Sequence, residues 1–440
     1  MEDSSTIAAP AGRAPSPTLF RDRSFWGLMC TQFLGAFNDN LYKQMMLLLA
    51  IPAAAAAVGT ESDVQGWATM VFSLPFVLFS GFAGYLSDRY SKTPIIVACK
   101  FAEIVIMFMG LVAFYYYDVF GTWGTWTVLF LMATQSAFFG PGKYGILPEL
   151  FAEKDLPRAN GLMLMTTFLA IIFGMVFAGA MTAVLLGEEG TARHLAGGMV
   201  VCILIAIAGT LTALLIRRVP QAQPNAKLSW DALWIPRDIR RLLLQDRPLL
   251  GAILVSSLFW LVSGMAAPTV NRLGLEMLGQ NELGASVLTA FIAFGIMIGA
   301  VFAGWLCRRG LSSHCVSGGL AGICLCLFLL GIWTPGPEHW LGFAGSLAAL
   351  LVLGIAAAIF SIPVQVFLQT RPPRTLKGRM IATMNQANFL GIMLSGPLYQ
   401  MFEALAAWLQ WPICSVFWMI MLLVLPAAIG YRLREAERSV

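Results

Sequence analysis

The chain has 440 residues, 58% hydrophobic and 12% charged, a balance that no water-soluble domain keeps in solution, so it reads as an integral membrane protein. A net charge of +5 would suggest a nucleic-acid partner in a soluble protein, but here the placement of Lys and Arg matters more than their sum, and no nucleic-acid partner is expected. The first 20 residues are rich in Ala, Pro and Ser and lack the basic-then-apolar layout of a cleaved signal peptide, so they belong to a short N-terminal tail, 1–24.

A helix needs about 20 apolar residues to cross a hydrocarbon core of about 30 Å. Twelve such stretches follow the tail: 25–48, 64–86, 94–116, 125–147, 160–186, 195–216, 249–270, 285–306, 312–333, 341–363, 379–402 and 412–432. The predicted fold is all-α, with a six-helix bundle at 25–216, a linker at 217–248, a second, pseudo-symmetric six-helix bundle at 249–432 and a tail at 433–440. Basic residues gather at alternate junctions, among them Arg89 and Lys92, Lys154 and Arg158, Arg217 to Arg247, Arg308 and Arg309, and Arg371 to Arg379. Acidic residues such as Glu61, Asp63, Asp118, Glu188, Glu189 and Glu338 hold the others, so the positive-inside rule places both termini in the cytoplasm. The eight cysteines lie in or beside apolar segments without metal-site spacing and read as packing residues; no metal or cofactor is expected.

Burying an ionisable side chain in a span costs about 2.5 to 3.5 kcal/mol on insertion scales, so each one needs a partner or a role. The first span holds Gln32, Asn38, Asp39, Asn40 and Lys43. Asp39 and Lys43 stand four apart, acid first, which predicts a pair on one helix face; either they only neutralise one another or they meet a substrate. The third span carries Lys100, near enough to the cytoplasmic end to snorkel, and Glu103, a buried charge without an assigned role. In the fourth, "SAFFGPGKYGILPEL", Gly140, Pro141, Gly142 and Gly145 are expected to break the helix around Lys143 and Tyr144, making Lys143 a candidate to hold an anion.

Further along, Pro236 to Gln245 alternates Arg with Leu and Ile, which suits an amphipathic helix on the membrane surface and equally a solvated linker. Asn271 and Arg272 stand at the outer end of the seventh span, and Asn385, Gln386 and Asn388 lie in the eleventh, where Asn388 is expected to glue helices together. Asp39, Lys143, Asn38, Asn40, Lys43, Tyr144, Arg272 and Gln386 are the candidate substrate contacts.

After the second span comes "GYLSDRYSK". With the six-plus-six layout and echoes between the halves at an offset of roughly 220 residues, it resembles the signature of the major facilitator superfamily, in which two six-helix bundles enclose a site near the bilayer midplane. Gly84 is expected to permit close helix approach, with Asp88, Arg89 and Lys92 latching neighbouring helix ends. More narrowly, "QFLGAFNDNLYK", "FFGPGKYGILPEL", "ANGLM" and "SLFW" resemble the bacterial lysophospholipid transporter family, some of whose members are fused to an acyltransferase.

That resemblance implies flipping of lysophospholipids, such as lysophosphatidylethanolamine, across the bacterial inner membrane for reacylation, with an acyltransferase as a partner at the cytoplasmic face. It marks Asp39 and Lys143; the basic residue it implies seven positions after "SLFW" is Ala267 here, with Arg272 five residues on. Rival readings are a proton-coupled exporter of amphipathic drugs, in which Asp39 or Glu103 titrates, a membrane-bound lipid acyltransferase, and a non-transporting scaffold. An enzyme is not expected: acyltransferase chemistry calls for a His with an acid four residues on, and His194, His314 and His339 have none.

Overall fold

The computed structural model describes residues 19–50, 64–151, 155–186, 191–221, 235, 237–308, 312–334, 339–373 and 376–432. Lys154, Glu61, Asp63, Glu188, Glu189, Arg309, Glu338, most of both tails and the middle of the linker lie outside them, as do the side chains of Asp88, Arg158, Arg308 and Arg379. The described chain is all-α: α1 (Arg23–Leu49), α2 (Gln65–Arg89), α3 (Lys92–Tyr115), α4 (Tyr117–Gly145), the short α5 (Leu147–Leu150), α6 (Leu156–Leu186), α7 (Ala196–Ala213), α8 (Arg237–Gln245), α9 (Arg247–Arg272), α10 (Glu282–Arg308), α11 (Ser312–Leu330), α12 (Gly342–Thr370), α13 (Lys377–Trp408) and α14 (Val416–Gly430).

Nine helical stretches among the described residues are long and apolar enough to cross a membrane. The long helices outside that set are α1, α4 and α13, which carry the polar residues of the first, fourth and eleventh predicted spans. Among the described residues the buried apolar side chains form one large cluster from α8 onward, two smaller ones in the chain up to Val219, and two small ones that join α1 and α6 to α10. Against lipid tails there is no hydrophobic gain in pairing helices, so close packing and polar contacts have to hold these clusters together.

Helix starts are cut sharply in both halves of the chain. Asp22 caps α1 by accepting from the Ser24 amide at 2.8 Å, and Asp246 caps α9 by accepting from the Leu249 amide at 3.2 Å. Each cap also pairs with an arginine beyond the end of a later helix in its own half, Asp22 with Arg217 and Asp246 with Arg371. The two aspartates stand 224 residues apart but their arginines only 154, and the sequence does not say which arginine each aspartate meets.

One local expectation is corrected. α4 runs unbroken through Pro141 to Gly145, and its break lies at Gly121, whose backbone (φ 55°, ψ −156°) is open essentially to glycine alone. Pro141 lacks only one intrahelical hydrogen bond, and the helix continues past it. The segment 237–245 does form an amphipathic helix, with Ile239 and Leu243 buried and Arg240, Arg241 and Leu244 exposed. The two halves of the chain meet where α2 packs along α13 and α6 along α10.

Candidate functional site

α1 and α4 run in opposite directions, and two polar rungs join them. On one, Ser136 Oγ donates to Asp39 Oδ2 at 2.5 Å. On the other, Lys143 Nζ donates to Gln32 Oε1 at 3.0 Å, and Gln32 Nε2 donates to Thr167 Oγ1 of α6 at 2.6 Å. Gln32 and Asp39 are seven apart, as are Ser136 and Lys143, so the rungs lie two turns, or about 10 Å, from one another. Asp39 and Lys143 are both half-exposed, and among the described residues each is held by neutral groups without an ion-pair partner.

The expected Asp39–Lys43 pair does not form. Lys43 instead lies over the Phe72 ring at 4.6 Å, where a cation–π contact takes the place of a carboxylate. Asn40 turns back on its own helix, donating to the Ala36 carbonyl at 2.7 Å. Tyr144 is exposed and sits below the Lys143 ammonium, 4.9 Å from ring centroid to Nζ. Aromatic contacts run beside the rungs: Phe33 to Phe37 to Phe177, and Phe79 and Phe82 to Phe138.

A second charged group lies deeper. Asn38 Nδ2 donates to Glu103 Oε1 at 2.9 Å and to the Cys202 carbonyl at 3.3 Å, while the other Glu103 oxygen pairs with Lys100. Lys100 and Glu103 are each 1% exposed, so Lys100 does not snorkel; its ammonium has a fixed counter-ion one turn away.

Arg272, by contrast, is engaged at the far end of α9 by Glu276 at 2.7 Å and Glu403 at 3.1 Å. Gln386 is half-buried on α13, three residues before Phe389, whose ring stacks on Phe76 of α2 at 4.2 Å. Asn388 accepts from Ser256 of α9 at 2.9 Å, a helix-joining contact of the kind expected.

The signature stretch follows its sequence logic only in part. Among the described residues a Cβ on Gly84 would meet no atom within 4 Å, so no described helix presses against it. Arg89 folds back onto Tyr85 of its own helix and over the Tyr90 ring, while Lys92 pairs with Glu149 of α5 and Ser91 Oγ donates to the Val219 carbonyl at 2.6 Å.

Sequence reasoning missed an uncharged cluster at the end of the helices opposite the termini. Gln44 Nε2 donates to Asn271 Oδ1 (3.0 Å) and Ser286 Oγ (3.1 Å), Asn271 Nδ2 donates to Gln65 Oε1 (3.1 Å), and Thr289 Oγ1 donates to Asn271 Oδ1 (2.9 Å). All five side chains are buried, and they come from both halves of the chain. Only Asn271 stands out in the sequence. Gln44 and Gln65 sit at helix ends, where an amide is unremarkable.

A family model described as Major Facilitator Superfamily matches residues 28–396. The chain belongs to the major facilitator superfamily. Within the superfamily it is related to lysophospholipid transporter LplT of Serratia proteamaculans (strain 568), 25% identical over 409 residues, covering 88% of this chain and 90% of that protein. LplT of Yersinia pestis (strain Pestoides F) is 26% identical over 407 residues, covering 88% of each.

Solved structures of the same fold include a POT family transporter in complex with a thioalcohol-conjugated peptide, with a TM-score of 0.71, 14% identity and coverage of 92% of this chain and 95% of that one. A mutant form of the nucleoside transporter NupG matches with a TM-score of 0.69, 13% identity and coverage of 94% and 98%. The chain is a multi-pass, secondary-active membrane transporter of this fold, not an enzyme.

Proposed function

We propose that the chain moves lysophospholipids, such as lysophosphatidylethanolamine, across the bacterial inner membrane by alternating access. The polar α1, α4 and α13 span the membrane with the nine apolar helices, giving twelve spans in bundles at 25–216 and 249–432. The termini and the 217–248 linker face the cytoplasm. An acyltransferase at that face consumes the product.

The observation that carries this reading is the pair of half-exposed charges on facing helices, Asp39 and Lys143, each held among the described residues by neutral hydrogen-bond partners only. A lysolipid head group brings a phosphodiester for the lysine and, with ethanolamine, an ammonium for the carboxylate. The rungs are about 10 Å apart, but helix side chains lean toward the helix N-terminus, so Lys143, once released by Gln32, swings toward Ser136 and Asp39. The single acyl chain lies against the phenylalanines beside the rungs or stays in lipid, and only the head group has to cross hydrocarbon. The relation to proteins named as lysophospholipid transporters supports the same substrate class.

The test is uptake of defined lysolipids into vesicles containing the purified protein, with and without a pH gradient. A lost charged hydrogen bond is worth about 1.5 to 3 kcal/mol, so Lys143→Met is expected to weaken uptake of every lysophospholipid roughly 10- to 100-fold. Asp39→Asn should cost ethanolamine lipids more than glycerol lipids. Parent-level uptake in both variants, or uphill transport of drugs that collapses with the pH gradient while lysolipids are ignored, would sink the proposal.

A further inference from the structure

We propose that Glu103, backed by Lys100, is a positioning residue that acts through Asn38 to fix the rotation of α1, so that Asp39 and Asn40 turn toward the substrate path. The inference rests on the head-group role given to Asp39 above. Successive residues are about 100° apart around a helix, so whatever holds Asn38 inward decides where Asp39 and Asn40 point.

Asn38 is held from two helices at once, by Glu103 of α3 and by the Cys202 carbonyl of α7. Both bonds are donated by its Nδ2, and its buried Oδ1 has no hydrogen-bond partner among the described residues. The amide orientation is therefore dictated: turned over, it would set an oxygen against the Glu103 carboxylate. The hold is directional, as a packing contact is not.

Glu103 is itself fixed. Its Oε1 accepts from Asn38, and its Oε2 is paired with Lys100. Lys100 occupies a chamber shaped for it. A Cβ on Gly35 of α1 would stand 2.6 Å from its Nζ, a Cβ on Gly209 of α7 would stand 3.1 Å from its Cε, and Thr210 Oγ1 donates to its carbonyl at 3.0 Å. With side chains 1% exposed, neither Lys100 nor Glu103 is open to a substrate.

Apolar side chains of similar volume would fill this space without the cost of desolvating two charges. What the pair adds is an anion at a defined point for Asn38 to meet. Its influence reaches the second rung as well, because the Phe139 ring lies 5.5 Å from Lys100 Nζ and 5.9 Å from Lys143 Nζ.

The test has two readouts on the full-length protein in lipid nanodiscs. The first is binding of lysophosphatidylethanolamine to Asn38→Leu, to Glu103→Gln, and to the exchange Asn38→Asp with Glu103→Gln, which keeps one carboxylate, one amide and Lys100. The second is the labelling rate of Asn40→Cys by a hydrophilic maleimide, with the exposed Cys30 changed to Ser, in the same three backgrounds. Each single change is expected to weaken binding and slow labelling by roughly tenfold or more, as loss of a supporting contact does elsewhere, and the exchange is expected to restore both.

Unchanged labelling and binding in folded Asn38→Leu overturns the inference, and so does a folded exchange that restores neither. Should Asn38→Leu fail to fold, Glu103→Gln and the exchange decide in the same way. Asp39→Asn separates the two readings: if it binds as the parent does, the head-group role of Asp39 fails, while labelling of Asn40→Cys still reports the rotation of α1.

Discussion

Asp39 and Lys143 differ from the other charges in these helices by what holds them. Lys100 and Glu103 neutralise one another in a sealed space, and Arg272 meets two carboxylates, whereas Asp39 leans on a serine and Lys143 on a glutamine. The sequence makes all of these residues costly and therefore notable, but it cannot say what holds Asp39 and Lys143, because their partners lie about a hundred residues away. Spacing within one helix misleads here: Asp39 and Lys43 have the right offset to pair, yet the Phe72 ring and the Ser136 hydroxyl take them in different directions. The Lys100 chamber makes a prediction at this scale. Its ammonium is the end of a flexible chain, but Glu103 and Gly209 leave it nowhere to move, so Gly35→Ala overpacks the site and is expected to cost about 1 to 3 kcal/mol. Thermal unfolding in detergent checks this against Gly140→Ala, whose Cβ would meet nothing within 4 Å and whose melting temperature should not fall.

Among the helices, those that are plainly apolar were legible from composition, and α1, α4 and α13 from the polar residues that interrupt them. α1, α4 and α13 fall outside the set of nine apolar crossings, and two of them carry the polar rungs. Glycine and proline are harder to read. Gly-Pro-Gly at 140–142 suggests a break, but a helix tolerates proline when only one hydrogen bond is lost, and the break falls at Gly121, which looks ordinary in the sequence. The contrast can be measured. Gly121→Val forces a side chain into a backbone conformation that costs about 1 to 3 kcal/mol, and it should lower the unfolding temperature and the yield of folded protein. Pro141→Ala, in a helix already continuous there, should leave both near the parent level; the opposite ranking would mean that the strain lies at Pro141.

In the whole molecule, the buried amide cluster joins the two halves of the chain at the end away from the termini, next to Leu48 packed on Ala285. Its members are uncharged, which suits a contact that has to be made and unmade: an amide pulled apart is satisfied by water at small cost, whereas a separated buried ion pair is not. Small residues bring the backbones together nearby, since a Cβ on Gly66 of α2 would stand 2.4 Å from the Gly396 carbonyl oxygen of α13. Asn271 is the hub, meeting Gln44, Gln65 and Thr289. Asn271→Ala therefore orphans buried polar groups only while this end is closed, at about 1 to 3 kcal/mol for each group left unpaired, and opening it to water removes the penalty. Under the proposed alternating access, that difference is a population shift of roughly tenfold for every 1.4 kcal/mol. A thiol introduced by Leu48→Cys, at a position buried in this structure, reports it: an impermeant maleimide added from the side opposite the termini should label that thiol at least tenfold faster in the Asn271→Ala background. Equal labelling rates in the two backgrounds would mean that the amide cluster does not hold this end shut.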